Sequence, residues 1–354
     1  MEILPSVAWL PRVSRRTVAM IAAGGFLAVV VLGALLLVQA GHNQPFQKDQ
    51  QAYEKWVNGF ATGVGSRPAV VILEPDALAL QNNCPDNAQR QARLQMLSYA
   101  VKTLQTKSDQ VYLDAGHSNW VPAGQMARRL QAAGIAQATG FALNVANYDP
   151  TNREISYATE LDRDLRMAKR FVVDTSRNGQ ASAGGHTPPA PGSILRANPG
   201  ASQSALARRL FTDPNSEAAN WVRDNPSDPI TREIRQRIAN QPTAKWFGVW
   251  SGDITAAVSS YADAASKQHK VPVLVAYDIP PLGCAGNKAA GSKQWCNPPG
   301  RQLGSAPQML DGGGGMGLWI KAPGESDGDC GTGVGTRTGQ FSPVVAQKLI
   351  AGRS

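Results

Sequence analysis

Histidine and cysteine are scarce in this sequence of 354 residues, which contains four of each. No two cysteines form a CxxC pair, and no two histidines lie at the spacing of metal ligands; the histidines are His42, His117, His186 and His269. Zinc sites are built from such closely spaced ligands. The sequence therefore predicts no metal site, and it contains no haem motif either.

Clustered positive charge is also missing, although the formal net charge is +9. The basic residues are scattered, and no basic run is interleaved with aromatic residues. A scattered charge is typical of a solvated surface and predicts no nucleic-acid partner. The glycine run at 312–315 lacks the lysine and the spacing of a phosphate-binding loop, so we expect no nucleotide cofactor.

Charged residues are absent from 17–40, which is long enough as a helix to span a bilayer. Basic residues precede it, which predicts that 1–16 is cytoplasmic and that everything after the apolar segment is outside. Residues 38–40 (VQA) also resemble the cleavage site of a signal peptide. Two alternatives therefore stand, a retained transmembrane anchor and a cleaved signal. Both place 41–354 outside the cytoplasm, membrane-anchored or secreted.

The four cysteines are Cys84, Cys284, Cys296 and Cys330. An even number of widely spaced cysteines in an exported chain favours two disulfides over a metal site.

Short apolar runs alternate with amphipathic segments along most of the chain. Buried strands are predicted at 69–73, 111–113, 141–145, 171–173, 246–250, 271–276 and 318–320. Helices are predicted at 87–106, 123–133, 216–222, 230–239 and 255–267. This alternation predicts a parallel α/β sheet or barrel. Residues 179–202 are rich in Gly, Pro and Ser and are predicted to form a linker or a long surface loop.

Acidic, amide or aromatic residues follow nearly every predicted strand. They include Asp76, Asp114, His117, Trp120, Asn147, Asp174, Tyr277, Lys321, Glu325 and Asp327. In α/β folds, function lies in the loops after the strands. Carboxylates can act as acid and base, amides can bind hydroxyls, and aromatic rings can stack on pyranose rings. The composition predicts a sugar-binding site.

Strings of residues at these positions closely resemble the inverting cellulases of glycoside hydrolase family 6. The matching strings are VVILEPDALAL at 70–80, VYLDAGHSNW at 111–120, GFALNVANYDP at 140–150, FVVDTSRNG at 171–179, WCNPPGRQLG at 295–304 and LWIKAPGESDG at 318–328. LFTDPNSEAA at 210–219, WFGVWSGD at 246–253 and VPVLVAYDIP at 271–280 resemble the N-terminal third of the family. The resemblance covers nearly everything after residue 50. It implies a distorted, partly open parallel β/α barrel that needs no cofactor.

The resemblance also implies roles for individual residues. Asp76 matches the general acid, although an aspartate at this position could instead cap a following helix. Asp327 matches the base or electrostatic partner, and Lys321 and Glu325 match residues that contact substrate. The alternative for these last three is a surface salt-bridge cluster.

Further residues match supporting and substrate-binding positions. Asp114, Asp174 and Tyr277 match supporting residues, and the two aspartates could equally brace loops. The positions that resemble glucose contacts are His117, Trp120, Asn147, Trp246 and Trp295, and for the tryptophans the alternative is a buried structural role. The family's disulfides imply the pairs Cys84–Cys284 and Cys296–Cys330.

The sequence departs from the family pattern in two respects. An aspartate usually precedes the cysteine that Cys284 matches, but here that position is Gly283, and Leu282 stands where the family has an arginine. Loss of a positioned carboxylate can lower the rate by about two to four orders of magnitude. The second departure is the order of segments, because 203–286 matches a part of the family that normally precedes the strand at 69–73.

Three hypotheses follow. The first is an inverting endo-β-1,4-glucanase that acts on cellulose or a related β-glucan, since the loops after the last strands are too short to roof a tunnel. The second is a catalytically impaired protein that binds glycan but lacks the loop aspartate. The third is a protein that keeps the fold only as a scaffold. A monomer is expected in each case.

Overall fold

An eight-stranded sheet forms the centre of the chain, in the strand order β5-β6-β1-β2-β3-β4-β8-β7. The computed structural model describes residues 47–105, 110–179, 209–282, 284, 303–310, 315–325 and 340–351. The strands are β1 Val70–Leu73, β2 Gln110–Asp114, β3 Gly140–Leu143, β4 Arg170–Asp174, β5 Lys245–Phe247, β6 Val273–Ala276, β7 Gln308–Leu310 and β8 Gly315–Leu318. Neighbouring strands are parallel except for β7, which pairs antiparallel with β8. The described residues from Gln50 onward form one compact unit.

Helices cover the outside of this sheet. They are α1 at 47–64, α2 Asn87–Gln105, α3 Ala123–Ala132, α4 Thr151–Leu165, α5 Glu217–Asp224, α6 Thr231–Ile234, α7 Ile254–Lys267 and α8 Pro343–Ala351. A π-helical turn, Arg235–Ala239, continues α6, and short 3-10 turns lie at Ala79–Asn83, Ile135–Gln137 and Val249–Ser251. No helix in the described ranges is long and apolar enough to cross a bilayer.

Both faces of the strands are buried, since one faces the inner core and the other is covered by helices. Alternate residues of each strand point to these opposite sides of the sheet. One set fills the inner core, with Val70, Ile72, Tyr112, Ala142, Val172, Val273, Val275 and Leu318. The intervening residues, such as Val71 and Leu274, are equally buried on the helix-covered side. This is why the strands read as continuous apolar runs.

The sheet curls so that the region of β5 at one edge approaches the region of β8 near the other edge. The backbone N–H of Ala244, just before β5, donates to the carbonyl of Trp319, just after β8, at 2.8 Å. The indole Nε1 of Trp246 donates to the carbonyl of Ile320 at 2.8 Å. The result is a partly open barrel, and the predicted fold class is confirmed.

Helix α1 packs closely against α7. A side chain at Gly63 would place its Cβ 2.7 Å from Cβ of Val258, and one at Gly59 would meet Ile254 at the same distance. The hydroxyl of Thr255 donates to the carbonyl of Gly59 at 3.1 Å. Glycine at these two positions therefore allows the close helix crossing.

Most of the predicted elements are confirmed, with shifts at their ends. Three strand predictions were wrong in extent. The strand predicted at 141–145 ends at Leu143, the one at 246–250 ends at Phe247, and the one at 318–320 lies at Gly315–Leu318. The residues beyond these ends are mostly apolar but lack strand pairing: Val145, Trp319 and Ile320 are buried, whereas Val249 and Trp250 are exposed, and a hydrophobicity pattern does not detect where pairing stops. Helices α1, α4 and α8 and strand β7 were not predicted.

Candidate active site

Polar side chains continue the inward-facing series of the strands at their carboxyl ends. Glu74 lies two residues after Ile72, Asp114 two after Tyr112, and Asp174 two after Val172. Since residues i and i+2 share a face, these groups stand above the inner core at the end of the barrel where parallel strands all terminate. Asn144 and Tyr277 extend the series on β3 and β6. The predicted strand-end residues are thus brought to one end of the barrel.

Asp76 and Asp114 form a buried acidic pair at this end. The backbone N–H of Asp76 donates to Oδ2 of Asp114 at 2.9 Å. Only 4% of Asp76 is exposed, and its φ angle of +67° is in the left-handed region that disfavours a side chain. Such strain persists where the surrounding structure fixes the backbone, and it clusters at functional sites.

Both carboxyl groups hold their protons more tightly than usual. Burial, and after it the charge of Asp114, raises the pKa of Asp76 well above its ordinary value. Burial also raises the pKa of Asp114. Its Oδ2 accepts a second hydrogen bond, from the N–H of Gly116 at 3.1 Å, while Oδ1 is buried without a partner among the described residues. The geometry suits a carboxylic acid that stays protonated near neutral pH.

The structure does not support the alternative in which the Asp76 side chain caps a helix. The turn that follows is a 3-10 helix beginning at Ala79, its N-cap residue is Leu78, and no side chain caps it.

Glu74 is a further buried carboxyl group that sequence reasoning missed. It accepts hydrogen bonds from the hydroxyl of Tyr53 at 2.9 Å and from the backbone N–H groups of Asp278 and Ile279 at 3.1 and 3.0 Å. Burial raises the pKa of Glu74 to about 8. This one side chain therefore connects the strand that precedes Asp76 to the loop after β6.

A buried arginine and a disulfide join the same two segments. The guanidinium of Arg93 donates to the carbonyls of Ala77 and Pro281, each at 3.1 Å. Cys84 and Cys284 form a disulfide across 200 residues of sequence, as the resemblance implied. These contacts hold the loop that carries Tyr277 beside the segment that carries Asp76.

Tyr277 lies in the field of this acidic cluster. Burial, followed by the charges of Asp76 and Glu74, raises the pKa of the Tyr277 phenol. Its ring contacts Trp246 at a centroid distance of 5.6 Å and Trp250 at 6.3 Å. Trp246 is half-buried, and its indole N–H donates to the carbonyl of Ile320 across the barrel. It therefore makes a structural contact and also lies at the cleft.

His117 belongs to a second polar network next to the pair. Its Nδ1 lies 2.9 Å from Oδ2 of Asp149, and its ring contacts Trp120 at 5.4 Å. Burial alone would raise the pKa of Asp149, but the hydrogen bond and charge of His117 outweigh it, and the pKa lies below its ordinary value. Nε2 of His117 is buried and has no hydrogen-bond partner in the described part of the chain. Asn147, also buried, donates to the carbonyl of Val145 at 3.0 Å.

Asp174 braces three loops at once. Its Oδ2 accepts from the backbone N–H groups of Ala146 and Lys321, each at 3.0 Å, and its Oδ1 accepts from Ser176 at 3.0 Å and Ile320 at 3.3 Å. It is fully buried, and burial raises its pKa. The loop-bracing alternative therefore describes its contacts.

Lys321 and Glu325 follow β8 and form an ion pair at 4.0 Å. These two residues thus make the contact that the salt-bridge alternative describes, and their side chains remain partly accessible at the barrel end. Asp327, Trp295, Gly283 and the pair Cys296–Cys330 lie outside the described residues, as do the apolar segment 17–40 and most of the linker 179–202.

Sequence reasoning missed Glu74, Tyr53, Arg93, Asp149 and Glu154, the last of which is buried on α4 and accepts from the backbone N–H of Ser118 at 3.1 Å. Glu74 could have been predicted from the sequence, because it follows Val70 and Ile72 at the two-residue spacing of the inward-facing side chains of β1. The others gave no such signal, since Tyr53 and Arg93 lie on helices and reach the site only by packing. Among the described residues, no group of three or more His, Cys, Asp or Glu side chains is arranged to hold a metal ion.

Comparison with known proteins gives consistent matches over most of the chain. The sequence model described as "Glycosyl hydrolases family 6" matches residues 37–188, 204–294 and 286–351. The first two matches are separated by residues 189–203 and the last two overlap at 286–294, close to the two ends of the segment 203–286 that was expected to match out of order.

Individual relatives agree with the family match. The chain is 31% identical over 318 residues to "Endoglucanase 1" of Streptomyces halstedii, which covers 88% of this chain and 64% of the relative. It is 46% identical over 138 residues to "Endoglucanase A" of Thermobispora bispora, covering 38% of this chain and 30% of the relative. The chain therefore spans less than two thirds of the length of these relatives.

A solved structure shares the architecture. The endoglucanase Cel6 from Mycobacterium tuberculosis, in complex with methyl-cellobiosyl-4-deoxy-4-thio-β-D-cellobioside, superposes with a TM-score of 0.50 and 29% sequence identity. The superposition covers 86% of this chain and 68% of that one.

Proposed function

The chain belongs to glycosyl hydrolase family 6, and we propose on that premise that it hydrolyses internal β-1,4-glucosidic bonds in cellulose or a related β-glucan, with Asp76 as the general acid. The observation that carries this proposal is the buried pair of Asp76 and Asp114 at the carboxyl end of the barrel. Matches to proteins named endoglucanase, and to one solved with a thio-linked cellobioside, support the substrate class.

Asp76 would deliver its proton to the oxygen that leaves with the cleaved sugar. A general acid must be protonated before the reaction, and burial beside a second carboxyl group provides that condition near neutral pH. Once the proton has left, two negative charges would face each other in a buried site. Their repulsion favours uptake of a new proton before the next cycle.

Asp327 is our candidate for the base or the electrostatic partner. An inverting enzyme activates a water on the face of the sugar opposite the acid, with the two carboxyl groups about 6.5–9.5 Å apart to leave room for that water. We assign the supporting roles to Asp114, Asp174 and Tyr277.

Sugar contacts are proposed for side chains around the pair. His117 and Asn147 would bind hydroxyl groups, and the buried Nε2 of His117 supports this because it has no partner in the described part of the chain. The remaining candidates are Trp120, Trp246, Trp295, Lys321 and Glu325. We also propose that the protein works outside the cytoplasm, anchored or secreted, because disulfides such as Cys84–Cys284 persist in oxidising compartments.

A second candidate function is glycan binding without turnover. It is favoured by Gly283, which stands where the family has an aspartate. In that case the barrel and its cleft would bind oligosaccharide, but no carboxylate from this loop would assist the acid.

The deciding experiment measures reducing ends released from carboxymethyl-cellulose by the full-length protein. We expect release by the parent and a loss of at least about a hundredfold in Asp76→Asn, the size of a general-acid contribution. Asp224→Asn, a change at an exposed aspartate on α5, is the matched control and should leave the rate unchanged. Turnover that persists in Asp76→Asn would contradict the assigned acid.

Gly283→Asp separates the two candidate functions. If the missing carboxylate limits catalysis, this substitution should raise kcat by about tenfold or more while the affinity for cello-oligosaccharides stays the same. A folded parent protein that binds cellohexaose but releases no reducing ends would establish the binding-protein alternative.

A further inference from the structure

Three arginines converge at a cavity between α3 and α4, among the helices that cover the outside of the sheet. Arg128 belongs to α3, Arg163 lies in the last turn of α4, and Arg166 is the residue at which α4 ends. The cavity measures about 500 Å³, which is within the range of about 300–1,000 Å³ that is usual for small-molecule sites. Its other walls are formed by small or acidic residues, Gly124, Ala127 and Asp164.

The guanidinium groups at this cavity lack counter-charges. Those of Arg128 and Arg166 form no hydrogen bond or ion pair with any residue in the described ranges. Among the same residues, Arg163 pairs only with its neighbour Asp164, with Nε 3.4 Å from Oδ1, and this contact is weak because both side chains are accessible to water. Three positive charges and one negative charge leave a net charge of +2 around the cavity.

A nearby cation shows the contrasting, structural use of such a group. Lys169, in the loop after α4, donates from its ammonium group to two backbone carbonyls at 3.0 and 2.8 Å. The three arginines make no comparable contact with the described backbone through their side chains. Their charges are therefore available to a ligand.

One oxygen of Asp164 adds an acceptor to these donors. A side chain at Gly124 would place its Cβ 3.3 Å from Oδ2 of Asp164 and 3.9 Å from Nη1 of Arg128, so the glycine leaves the space between them open. Oδ2 accepts no hydrogen bond from the residues that the structure describes, since Arg163 contacts Oδ1. The cavity thus offers several N–H donors and one carboxylate oxygen.

A phosphate monoester matches this set of groups. Guanidinium groups bind phosphate oxygens through paired N–H donors. Around its second pKa, which is about 6, a phosphate monoester still retains a proton in part, and a carboxylate can accept that proton in a hydrogen bond. Sulfate has no proton to donate in this pH range, and the carboxylate would repel it. An uncharged sugar would leave the net positive charge unbalanced.

We propose that the cavity between α3 and α4 binds a soluble phosphate monoester, whose oxygens are bound by the three arginines and whose proton is accepted by Asp164. The lining offers little apolar surface beyond Ala127, which favours a soluble ligand over a lipid. The cavity uses none of the groups at the carboxyl end of the barrel. It is therefore a separate site from the one proposed for hydrolysis, and it stands without that proposal.

The test measures binding of glycerol 3-phosphate to the full-length protein by calorimetry at about pH 6. Replacing the three arginines together, Arg128→Gln, Arg163→Gln and Arg166→Gln, should weaken binding at least about tenfold because charge-assisted hydrogen bonds are lost. The matched control removes the same charge from exposed arginines on α5, on α6 and in the π-helical turn, by Arg223→Gln, Arg232→Gln and Arg237→Gln. It should change the affinity less than about twofold.

Asp164→Asn tests the acceptor. The parent should bind glycerol 3-phosphate more tightly than sulfate, and the substitution should lower this ratio of affinities about threefold or more, because the amide no longer repels sulfate. A ratio that is the same in the variant and the parent would remove Asp164 from the site.

Dihexanoyl phosphatidic acid, a lipid soluble enough for calorimetry, distinguishes the two sources of a phosphate monoester. An affinity equal to that of glycerol 3-phosphate supports a soluble ligand. Binding that is at least about tenfold tighter, and that still needs the three arginines, would overturn this assignment in favour of a lipid headgroup.

Two results would overturn the site itself. One is a folded parent that binds no glycerol 3-phosphate in the millimolar range, and the other is equal weakening in the two triple variants. Should the triple variant at the cavity fail to fold, Gly124→Leu fills the space without changing the charge and must weaken binding to a similar extent. Hydrolysis of carboxymethyl-cellulose should be the same in Gly124→Leu as in the parent, so this test and that of the proposed function fail separately.

Discussion

Asp76 keeps its proton for two reasons that substitution can separate. Burial is the larger cause of its raised pKa and the charge of Asp114 is the smaller. As the proposed general acid, Asp76 would act in its protonated form, so kcat/KM should fall as the pH rises through the pKa of Asp76. The pH profile of hydrolysis therefore reports directly on this pair.

We predict that Asp114→Asn moves the alkaline limb of that profile to lower pH. The substitution removes the negative charge but leaves the burial, so the pKa of Asp76 falls without reaching its ordinary value. The measurement is kcat/KM on a soluble cello-oligosaccharide across the pH range, with Asp224→Asn as control. An alkaline limb at the same pH in Asp114→Asn would show that another group sets it.

Glu74 should make the free energy of unfolding depend on pH. Its pKa is raised from 4.5 to about 8 in the folded protein, so the folded chain holds a proton that the unfolded chain releases in this interval. The free energy of unfolding must then fall as the pH rises from 4.5 to about 8, by an amount on the order of a few kcal/mol.

Glu74→Gln should reduce this pH dependence. The amide keeps one oxygen for the N–H groups of Asp278 and Ile279 but cannot ionise. Urea unfolding at several pH values should give a shallower fall for the variant than for the parent, and the other buried carboxyl groups with raised pKa values, such as Asp76, Asp114 and Asp174, should contribute to what remains. Equal slopes in the two proteins would contradict the raised pKa of Glu74.

At the scale of elements, the position of the loop after β6 depends on contacts with the segment that follows β1. The loop after β6 is held to the segment 74–84 by Glu74, by Arg93 and by the disulfide Cys84–Cys284. The strands β1 and β6 are also direct neighbours in the sheet. These contacts place Tyr277 beside the acid.

We predict that replacing both cysteines of this pair by alanine destabilises the protein. Closing a loop of 200 residues reduces the entropy of the unfolded chain, which corresponds to at most about 5 kcal/mol in the chain-entropy model. Urea unfolding of the double variant against the parent measures the difference, and removing both residues together avoids a free thiol. An unchanged free energy of unfolding would mean that Glu74 and Arg93 hold the loop without the disulfide.

Elements with an alternating or periodic apolar pattern were predictable, and others were not. Leu94, Leu97, Val101 and Leu104 stand at the spacing i, i+3, i+7 and i+10, which predicts one face of a helix, and all four are buried in the structure. The edge strand β7 carries no such signal, because its residues are only partly buried. Its pairing with β8 depends on the position of the barrel edge and not on its own sequence.

At the scale of the whole molecule, the order of strands in the sheet differs from their order in the chain. Strands β5 and β6 come after β4 in sequence, but β6 lies beside β1 in the sheet and β5 lies beside β6.

We predict that moving residues 203–286 in front of residue 50 leaves the fold intact. The contacts between β6 and β1 and between Cys84 and Cys284 do not depend on which segment comes first. The rearranged chain should retain its thermal unfolding midpoint within about 2–4 °C, equivalent to roughly 1 kcal/mol in a larger domain. Loss of the Cys84–Cys284 pair in peptide mapping would show that the segment order helps to specify the sheet.

The sequence by itself determined the local features: the apolar strands, the polar residues that follow them and the family resemblance, which in turn implied the pairing of Cys84 with Cys284. These are encoded by residues close in the chain or by long matching strings. Only the tertiary structure decided which carboxyl groups meet. Glu74 binds the N–H groups of residues about 200 positions away, and the burial that raises the pKa of Asp76 depends on segments that converge only when the barrel curls. Desolvation and charge act through space, so no spacing in the sequence could reveal them.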